Sequence, residues 1–178
     1  MNNYIKSDLY RYYGKSGFFT FAKAYLRNGI FRLQCALRLC NSKGVSRIIG
    51  NVLYRLNRTR KTIQISPNTK IGYGLYIGHG GGIVVNPTAV IGNNCNLSQF
   101  TTIGSNEGKA ATIGDNVYVG PNVCIVEDVK IGDNATIGAG SVVTKNIPEN
   151  ATAVGNYAKV INYNNPGRFI KNRWTKKS

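Results

Sequence analysis

The chain has 178 residues, of which 42% are hydrophobic, and its formal net charge is +16. This length suits one domain with a buried core and a small appendage. No apolar run of about 18 residues is present and the first residues carry no secretory signal pattern, so we expect a cytoplasmic protein. Four cysteines without CxxC spacing and a single histidine exclude a zinc set. We expect reduced cysteines and no metal.

The positive charge lies at the two ends of the chain. Residues 1–61 contain 13 Lys or Arg residues and one acid, Asp8, whereas residues 62–166 contain 5 basic and 6 acidic residues. Residues 167–178 add five basic residues and no acid. Such basic segments are typical of nucleic-acid binders, of helices on anionic lipid, and of solvated helical faces. We expect no nucleic-acid partner, and a peripheral contact of residues 1–61 with an anionic membrane.

The N-terminal segment has a helical pattern. Apolar residues between positions 18 and 40 recur at three- and four-residue steps, with basic residues such as Arg38 between them. The spacing predicts two or three short helices with a break near Gly29, and a further helix around residues 45–57. We expect their apolar faces to cap the structure that follows, with the arginines facing outwards.

In the middle of the chain an aliphatic residue returns every six positions. The series shifts by two residues between Ile83 and Val85 and is interrupted by residues 105–112. Its members are Ile65, Ile71, Ile77, Ile83, Val85, Ile91, Leu97, Ile103, Ile113, Val119, Ile125, Ile131, Ile137 and Val143. A short strand and a tight turn, repeated three times, make a triangular coil of about 18 residues. The pattern therefore predicts a parallel β-helix of about four to five stacked coils.

The repeat, with "IGAGSVVTKNIP" at 137–148 and "AVGNYAKVI" at 153–161, resembles the hexapeptide-repeat acyltransferase family. This resemblance implies a left-handed, mainly β solenoid over residues 62–161, a homotrimer, and acetyl-CoA bound between neighbouring β-helices. The stretch "GHGGGIVVNPTAVIG" at 78–92 resembles the serine acetyltransferase branch. It resembles still more closely the related O-acetyltransferases of capsule and other surface-polysaccharide pathways.

The one histidine, His79, lies among the glycines of that stretch. Transfer of an acetyl group to an alcohol needs a base for the hydroxyl proton, and an imidazole suits this task near neutral pH. Flanking glycines leave the ring uncovered and allow a ligand or a neighbouring chain to approach closely. His79 also matches the family's catalytic histidine. The resemblance implies direct attack on acetyl-CoA with His79 as general base and without an acetyl-enzyme.

Three positions depart from the serine acetyltransferase pattern. Gln64 stands where that branch has an aspartate, Gly78 replaces the acid before the histidine, and the loop 105–112 lacks a second histidine. Glutamine can accept a hydrogen bond but brings no charge to pair with the ammonium of an amino acid. We therefore expect the acceptor to be a sugar hydroxyl of a capsular or other surface polysaccharide or its precursor, contacted by Gln64, Asn106 and Glu107.

The acetyl-CoA site follows from the resemblance alone. The family's turn contacts fall at Pro121 and Ala139, and its basic residues near the phosphates fall at Lys145 and Lys159. Lysine is a suitable point charge for phosphate. The family often has proline where this chain has Tyr157, which leaves the affinity for CoA open.

Residues 162–178 break the repeat, and we expect a short helix or an irregular basic tail there. Two other functions stay open beside the polysaccharide O-acetyltransferase. One is serine O-acetylation for cysteine synthesis, and the other is a non-catalytic β-helix scaffold that binds an anionic polymer or a membrane. An uncovered His79 favours an enzyme, because a scaffold has no use for such a group.

Overall fold

Short strands on three faces build a parallel β-helix. The computed structural model describes residues 2–175, so residues 176–178, the end of the expected basic tail, lie outside it. Face A contains β1 (Ile63–Ile65), β4 (Ile83–Val85), β7 (Thr102–Gly104), β10 (Cys124–Val126) and β13 (Val142–Val143). Face B contains β2 (Lys70–Ile71), β5 (Val90–Ile91), β8 (Thr112–Ile113) and β11 (Lys130–Ile131). Face C contains β3 (Tyr76–Ile77), β6 (Asn96–Leu97), β9 (Tyr118–Val119), β12 (Thr136–Ile137), β14 (Thr152–Val154) and β15 (Lys159–Asn162). The predicted left-handed β-helix is confirmed.

The six-residue series forms the core of this solenoid. On face A, Ile65 pairs with Val85, Val85 with Ile103, Ile103 with Ile125, and Ile125 with Val143. All five side chains are buried. Because equivalent aliphatic residues stack directly on one another, each coil buries its apolar side chains against the coils next to it.

Asparagines occupy the corner between faces B and C. Asn94, Asn116, Asn134 and Asn150 all have left-handed backbone angles, with φ between 55° and 62°. Asparagine adopts this conformation more readily than other residues with a side chain. Asn116 donates to Asn134 and Asn134 donates to Asn150, each at 3.1 Å, so the side chains also connect one coil to the next.

Four helices precede the solenoid: α1 (Asn3–Tyr13), α2 (Phe18–Arg27), α3 (Gly29–Cys40) and α4 (Val45–Leu56). A 3₁₀ turn, Arg58–Lys61, leads into β1. Three of the helices match the predicted segments, whereas α1 was not predicted. Leu33 and Leu37 of α3 pack into the core of the β-helix, so this helix closes the first coil.

A buried ion pair fixes α1 and α3 to that coil. The Arg38 guanidinium donates from Nε to Asp8 Oδ2 at 2.8 Å and from Nη2 to Asp8 Oδ1 at 2.9 Å. It also donates to the carbonyls of Ile71 and Gly72, while Asp8 accepts from the Leu75 amide at 2.8 Å. The prediction that the arginines face outwards is therefore wrong for Arg38, because its charge is balanced inside the protein.

The C-terminal segment is a tail rather than a helix. After β14 the chain reverses, and β15 pairs antiparallel with it at the end of face C. The tail then runs back along the solenoid, where the amide of Gly167 donates to the carbonyl of Asn134 and that of Trp174 to Asn94 Oδ1. The tail therefore extends from the end of face C to the early coils.

Replacing Asp8 tests the ion pair. Asp8→Asn leaves the Arg38 guanidinium buried without its counter-charge, and we expect the free energy of unfolding to fall by about 3 kcal/mol. Urea denaturation measures this loss. The exposed Asp128→Asn should change the same quantity by less than about 0.5 kcal/mol. Equal effects of the two substitutions would contradict the role assigned to the pair.

Candidate active site

His79 lies at the corner between faces C and A, in a turn that is longer than its equivalents. Ile77 pairs with Leu97 and Val85 pairs with Ile103. The chain therefore takes eight residues to pass this corner, whereas the next coil takes six. This is the two-residue shift seen in the repeat. The His79 side chain is exposed, and within residues 2–175 of one chain its ring has no hydrogen-bond partner.

Two glycines of this turn lie close to side chains of neighbouring segments. Gly82 has φ +57°, and a Cβ there would lie 2.6 Å from Cδ1 of Phe100 on the next coil. A Cβ on Gly80 would lie 3.1 Å from Cγ1 of Ile30. Larger residues would push the turn away from its neighbours or strain its backbone. The glycines thus keep the turn close to the protein while His79 projects from it.

Tyr12 holds the strand that leads into the turn. Its hydroxyl donates to the Ile77 carbonyl at 2.8 Å and accepts from the Ile77 amide at 3.2 Å. The same hydroxyl lies 2.6 Å from Gln34 Oε1. Burial raises the pKa of Tyr12 well above its usual value, so the phenol stays protonated and keeps donating. Helix α1 therefore fixes the position of β3 two residues before His79.

A cleft beside His79 is walled by the N-terminal helices. Gly78 and Gly80 form one side of it, and the other side includes Tyr13, Arg27, Asn28, Gly29, Ile30, Thr59 and Thr62. Asn28 caps α3, because its Oδ1 accepts from the amides of Ile30 and Phe31 at 3.0 and 3.1 Å. Apart from Gly78, none of these residues was predicted from the sequence to be part of the site. The break at Gly29 was visible, but no local signal tells which corner of the β-helix it faces.

Three of the expected acetyl-CoA contacts share the corner of His79. The Asn122 amide donates to the Gln99 carbonyl and the Gly140 amide donates to that of Pro121, so Pro121 and Ala139 occupy the same position on successive coils. Ala139 is exposed, and the space that a Cβ on Gly140 would enter is open. Lys159 pairs with Val154, and Val154 lies against Gly138 of the coil below. Lys145 follows β13 and lies at the other edge of face A.

The residues expected to contact the acceptor lie along face A. Gln64 and Asn106 line one groove, together with Tyr54 and Lys61. Glu107 is exposed in the loop that follows β7, at the corner between faces A and B. This corner is at the opposite edge of face A from His79. Within one chain the structure therefore does not bring Asn106 and Glu107 to the histidine.

A carboxylate on the next coil orders this loop. Glu127 accepts from the Ser105 hydroxyl at 2.6 Å and from the Asn106 amide at 3.1 Å, and the Glu107 amide donates to it at 3.3 Å. The Ser105 hydroxyl, followed by the Asn106 amide, lowers the pKa of Glu127. Glu127 was not predicted, because nothing in its sequence position indicates which loop lies beneath it.

In the described part of the chain, no group of three or more His, Cys, Asp or Glu side chains is placed to hold a metal. Among the same residues, no helix is long and apolar enough to cross a membrane. The buried Cys95 has its pKa raised to about 12, chiefly by loss of solvent, so it stays a neutral thiol.

Comparisons with known proteins identify the family. A family model described as bacterial transferase hexapeptide (six repeats) matches residues 110–145. A serine acetyltransferase of Helicobacter pylori is 37% identical over 139 residues, which cover 75% of this chain and 81% of that protein. One of Synechococcus elongatus is 35% identical over 118 residues, 64% of this chain and 48% of the relative. The chain spans about half the length of several such relatives.

Solved structures agree with the sequence matches. The crystal structure of Neisseria gonorrhoeae serine acetyltransferase in complex with serine aligns with a TM-score of 0.69 at 32% identity. The alignment covers 88% of this chain and 67% of that one. Soybean serine acetyltransferase, as the apoenzyme, gives a TM-score of 0.70 at 31% identity, with 89% of this chain and 67% of that chain covered.

A left-handed β-helix of six-residue repeats with an uncovered histidine at a coil corner defines a hexapeptide-repeat acyltransferase. The chain belongs to this family, and the relatives named above are serine acetyltransferases. The expectation of an acyltransferase is thus confirmed at the level of the family. Membership in this family also disfavours the non-catalytic scaffold.

The expected polysaccharide branch and sugar acceptor are wrong. The relatives and the matching structures are serine acetyltransferases, as in the alternative that the sequence left open. Within one chain Gly78 lies beside His79, whereas the loop 105–112 lies across face A from it, so the three departures from the serine acetyltransferase pattern do not form one pocket in a single chain. The wall beside His79 comes instead from the helices, which the motif comparison did not include.

The Glu127 contacts predict a pH-dependent loop. Because the pKa of Glu127 lies below the ordinary 4.5, its carboxylate stabilises the loop at higher pH, and this stabilisation is lost as the pH falls through the lowered pKa. The backbone amide resonances of Asn106 and Glu107 should shift together over that range in an NMR titration. In Glu127→Gln the shift should disappear. An unchanged titration in the variant would contradict the assignment.

Proposed function

We propose that the protein transfers the acetyl group of acetyl-CoA to the hydroxyl of L-serine, with His79 as the general base. The observation that carries the proposal is the corner of His79: an exposed imidazole, on a turn extended by two residues, next to a cleft. The similarity to serine acetyltransferases, including one solved in complex with serine, supports serine as the acceptor.

The chemistry follows from the properties of an imidazole. As the serine oxygen attacks the thioester carbonyl carbon, its proton passes to the neutral ring of His79. The carbon–sulfur bond then breaks, and the proton passes from the imidazolium to the departing thiolate. The products are O-acetylserine and CoA with a free thiol. No metal takes part in this scheme.

The acetyl-CoA chain is proposed to lie along the corner that continues above His79. Pro121, half-buried, and Ala139, exposed, form a smooth path there, with open space at Gly140. Lys159 lies beside this path and can pair with a phosphate. A small residue at each step is what a close approach of the ligand to the backbone requires.

Arg27 is proposed to bind the carboxylate of serine. It lines the cleft beside Gly78 and Gly80, and residues 9–106 contain no Asp or Glu to compete for it. A guanidinium binds a carboxylate with two parallel hydrogen bonds, which also orients the acceptor. This contact gives the pocket a preference for a charged acceptor despite Gln64.

We propose a homotrimer because the site residues are divided between two edges of face A. Pro121, Ala139 and Lys159 lie with His79, whereas Lys145 and the loop of Asn106 and Glu107 lie at the far edge. A neighbouring copy that places its far edge against the His79 corner would complete the site. Its Glu107 would then supply the negative charge for the ammonium of serine, and a closed ring repeats the arrangement.

A peripheral contact of the N-terminal segment with an anionic membrane, on the cytoplasmic side, also stays a proposal. What supports it is the charge of residues 1–61, with 13 basic residues and one acid. The single acid, Asp8, is buried against Arg38 and does not offset the exposed charge.

Removing the imidazole tests the base. We expect His79→Ala to lower kcat with L-serine about 10²- to 10⁴-fold while the thermal midpoint of unfolding stays the same. Release of the CoA thiol from acetyl-CoA measures the rate. Full activity of the variant would refute the role of His79, and a wild-type enzyme that is inactive with L-serine would refute the acceptor.

Arg27→Gln tests the carboxylate contact. We expect KM for L-serine to rise about tenfold or more, because a charge-assisted hydrogen bond is lost, with smaller changes in kcat and in KM for acetyl-CoA. Lys23→Gln is the matched control, since Lys23 lies one turn earlier on α2 and does not line the cleft. Equal rises in the two variants would indicate a general charge effect and contradict the assignment.

A further inference from the structure

Helix α4 exposes a stripe of large apolar side chains. Val45, Ile48, Ile49, Val52 and Leu56 are spaced along one side of the helix, and each is at least 49% exposed. The opposite side packs tightly, because Gly50 lies against the backbone of Leu39 and Cys40 in α3. A stripe with this spacing is the part of an amphipathic helix that normally meets a partner.

Helix α2 exposes a second apolar face. Phe18, Phe19 and Leu26 are 75%, 87% and 77% exposed, and the two rings contact each other edge to face. Lys23 lies on the same helix and is exposed. Helices α2 and α4 both pack against α3, so both faces belong to the helical cap at the first coil.

The charge around these faces has one sign. Residues 9–106 contain no Asp or Glu, and Lys15, Lys23, Lys43 and Arg47 are exposed on or next to the two helices. Apolar side chains with a rim of Lys and Arg are the composition of helices that lie in a membrane interface. Lysine and arginine reach from the apolar level towards the phosphates of the lipids.

The charge also distinguishes between occupants. A second copy docked on the same faces by two-fold symmetry would bring two surfaces of like charge together, which opposes association. An anionic bilayer attracts the rim and accepts the apolar side chains. The occupant that fits both features is a lipid surface.

We infer that α2 and α4 together form a membrane-binding surface whose apolar side chains enter the interface of an anionic bilayer. The inference deepens the proposed peripheral contact and rests on it, because it assigns the contact to insertion of apolar groups rather than to charge alone. It is independent of the acceptor. Since α2 ends at Arg27, this docking would hold the cleft beside His79 close to the membrane surface.

Vesicle sedimentation of the 178-residue chain tests the surface. The probes are vesicles of phosphatidylcholine alone and of phosphatidylcholine with about 30% phosphatidylglycerol. We expect at least tenfold stronger binding to the anionic vesicles, and a tenfold or greater loss in the double variant Phe19→Ser/Leu56→Ser. Ile161→Ser is the control, since Ile161 is also apolar and 57% exposed but lies in β15 at the far end of the solenoid. This variant should bind as the wild type.

Each of the other outcomes refutes one stated part of the inference. If the double variant binds as tightly as the wild type, the contact is electrostatic and the insertion is refuted while the proposed contact stands. If the wild type binds neither vesicle, both are refuted. If the double variant instead lowers the mass seen by analytical ultracentrifugation, the faces join copies of the chain. Serine acetylation in solution is measured in parallel and should be the same in all variants. A wild-type chain without this activity would refute the proposed function and leave the membrane-binding surface untouched.

Discussion

The ion pair between Asp8 and Arg38 fixes how the two parts of the molecule meet. A β-helix has an open first coil, and its unpaired backbone groups need partners. Arg38 donates to carbonyls of that coil and Asp8 accepts from one of its amides, so the pair binds the coil as well as itself. Burial raises the pKa of Asp8 and Arg38 opposes this rise, so the carboxylate depends on its partner. The helices α1 and α3, which carry this pair, also supply Tyr12 and Ile30, the residues that contact the segment around His79.

The solenoid was predictable because its information is local and repeated. Each aliphatic residue of the series fills the same place in its coil, so period six determines the strands and their stacking. Even the extended turn at His79 was visible as a shift between Ile83 and Val85. The hand of the coil came from the family resemblance, because spacing alone does not determine it.

The helical cap was less predictable because its partners are distant in sequence. Helix α1 buries three polar residues, Ser7, Asp8 and Arg11, beside Ile5 and Leu9, and these three look like surface residues until the first coil is in place. Arg11 donates to the Gly74 carbonyl and to Asn96, and the loss of solvent lowers its pKa to about 10, so it stays charged.

In the candidate site, His79 could be identified as a candidate base from its glycine setting. The cleft beside His79 could not be predicted, since Tyr13 and Arg27 reach it only through the tertiary fold.

The C-terminal tail changes how the whole chain comes apart. A solenoid whose coils touch only their neighbours can fray from either end, coil by coil. Here the last residues return to the start: the Lys171 carbonyl accepts from Arg11, Asn172 donates to the Arg11 carbonyl, and Trp174 packs against Tyr10. The two terminal segments therefore contact each other beside the stacked coils. Because these contacts join residues near both termini, fraying that starts at the C-terminal end has to break contacts with the first helix, which couples the two ends of a linear array of repeats.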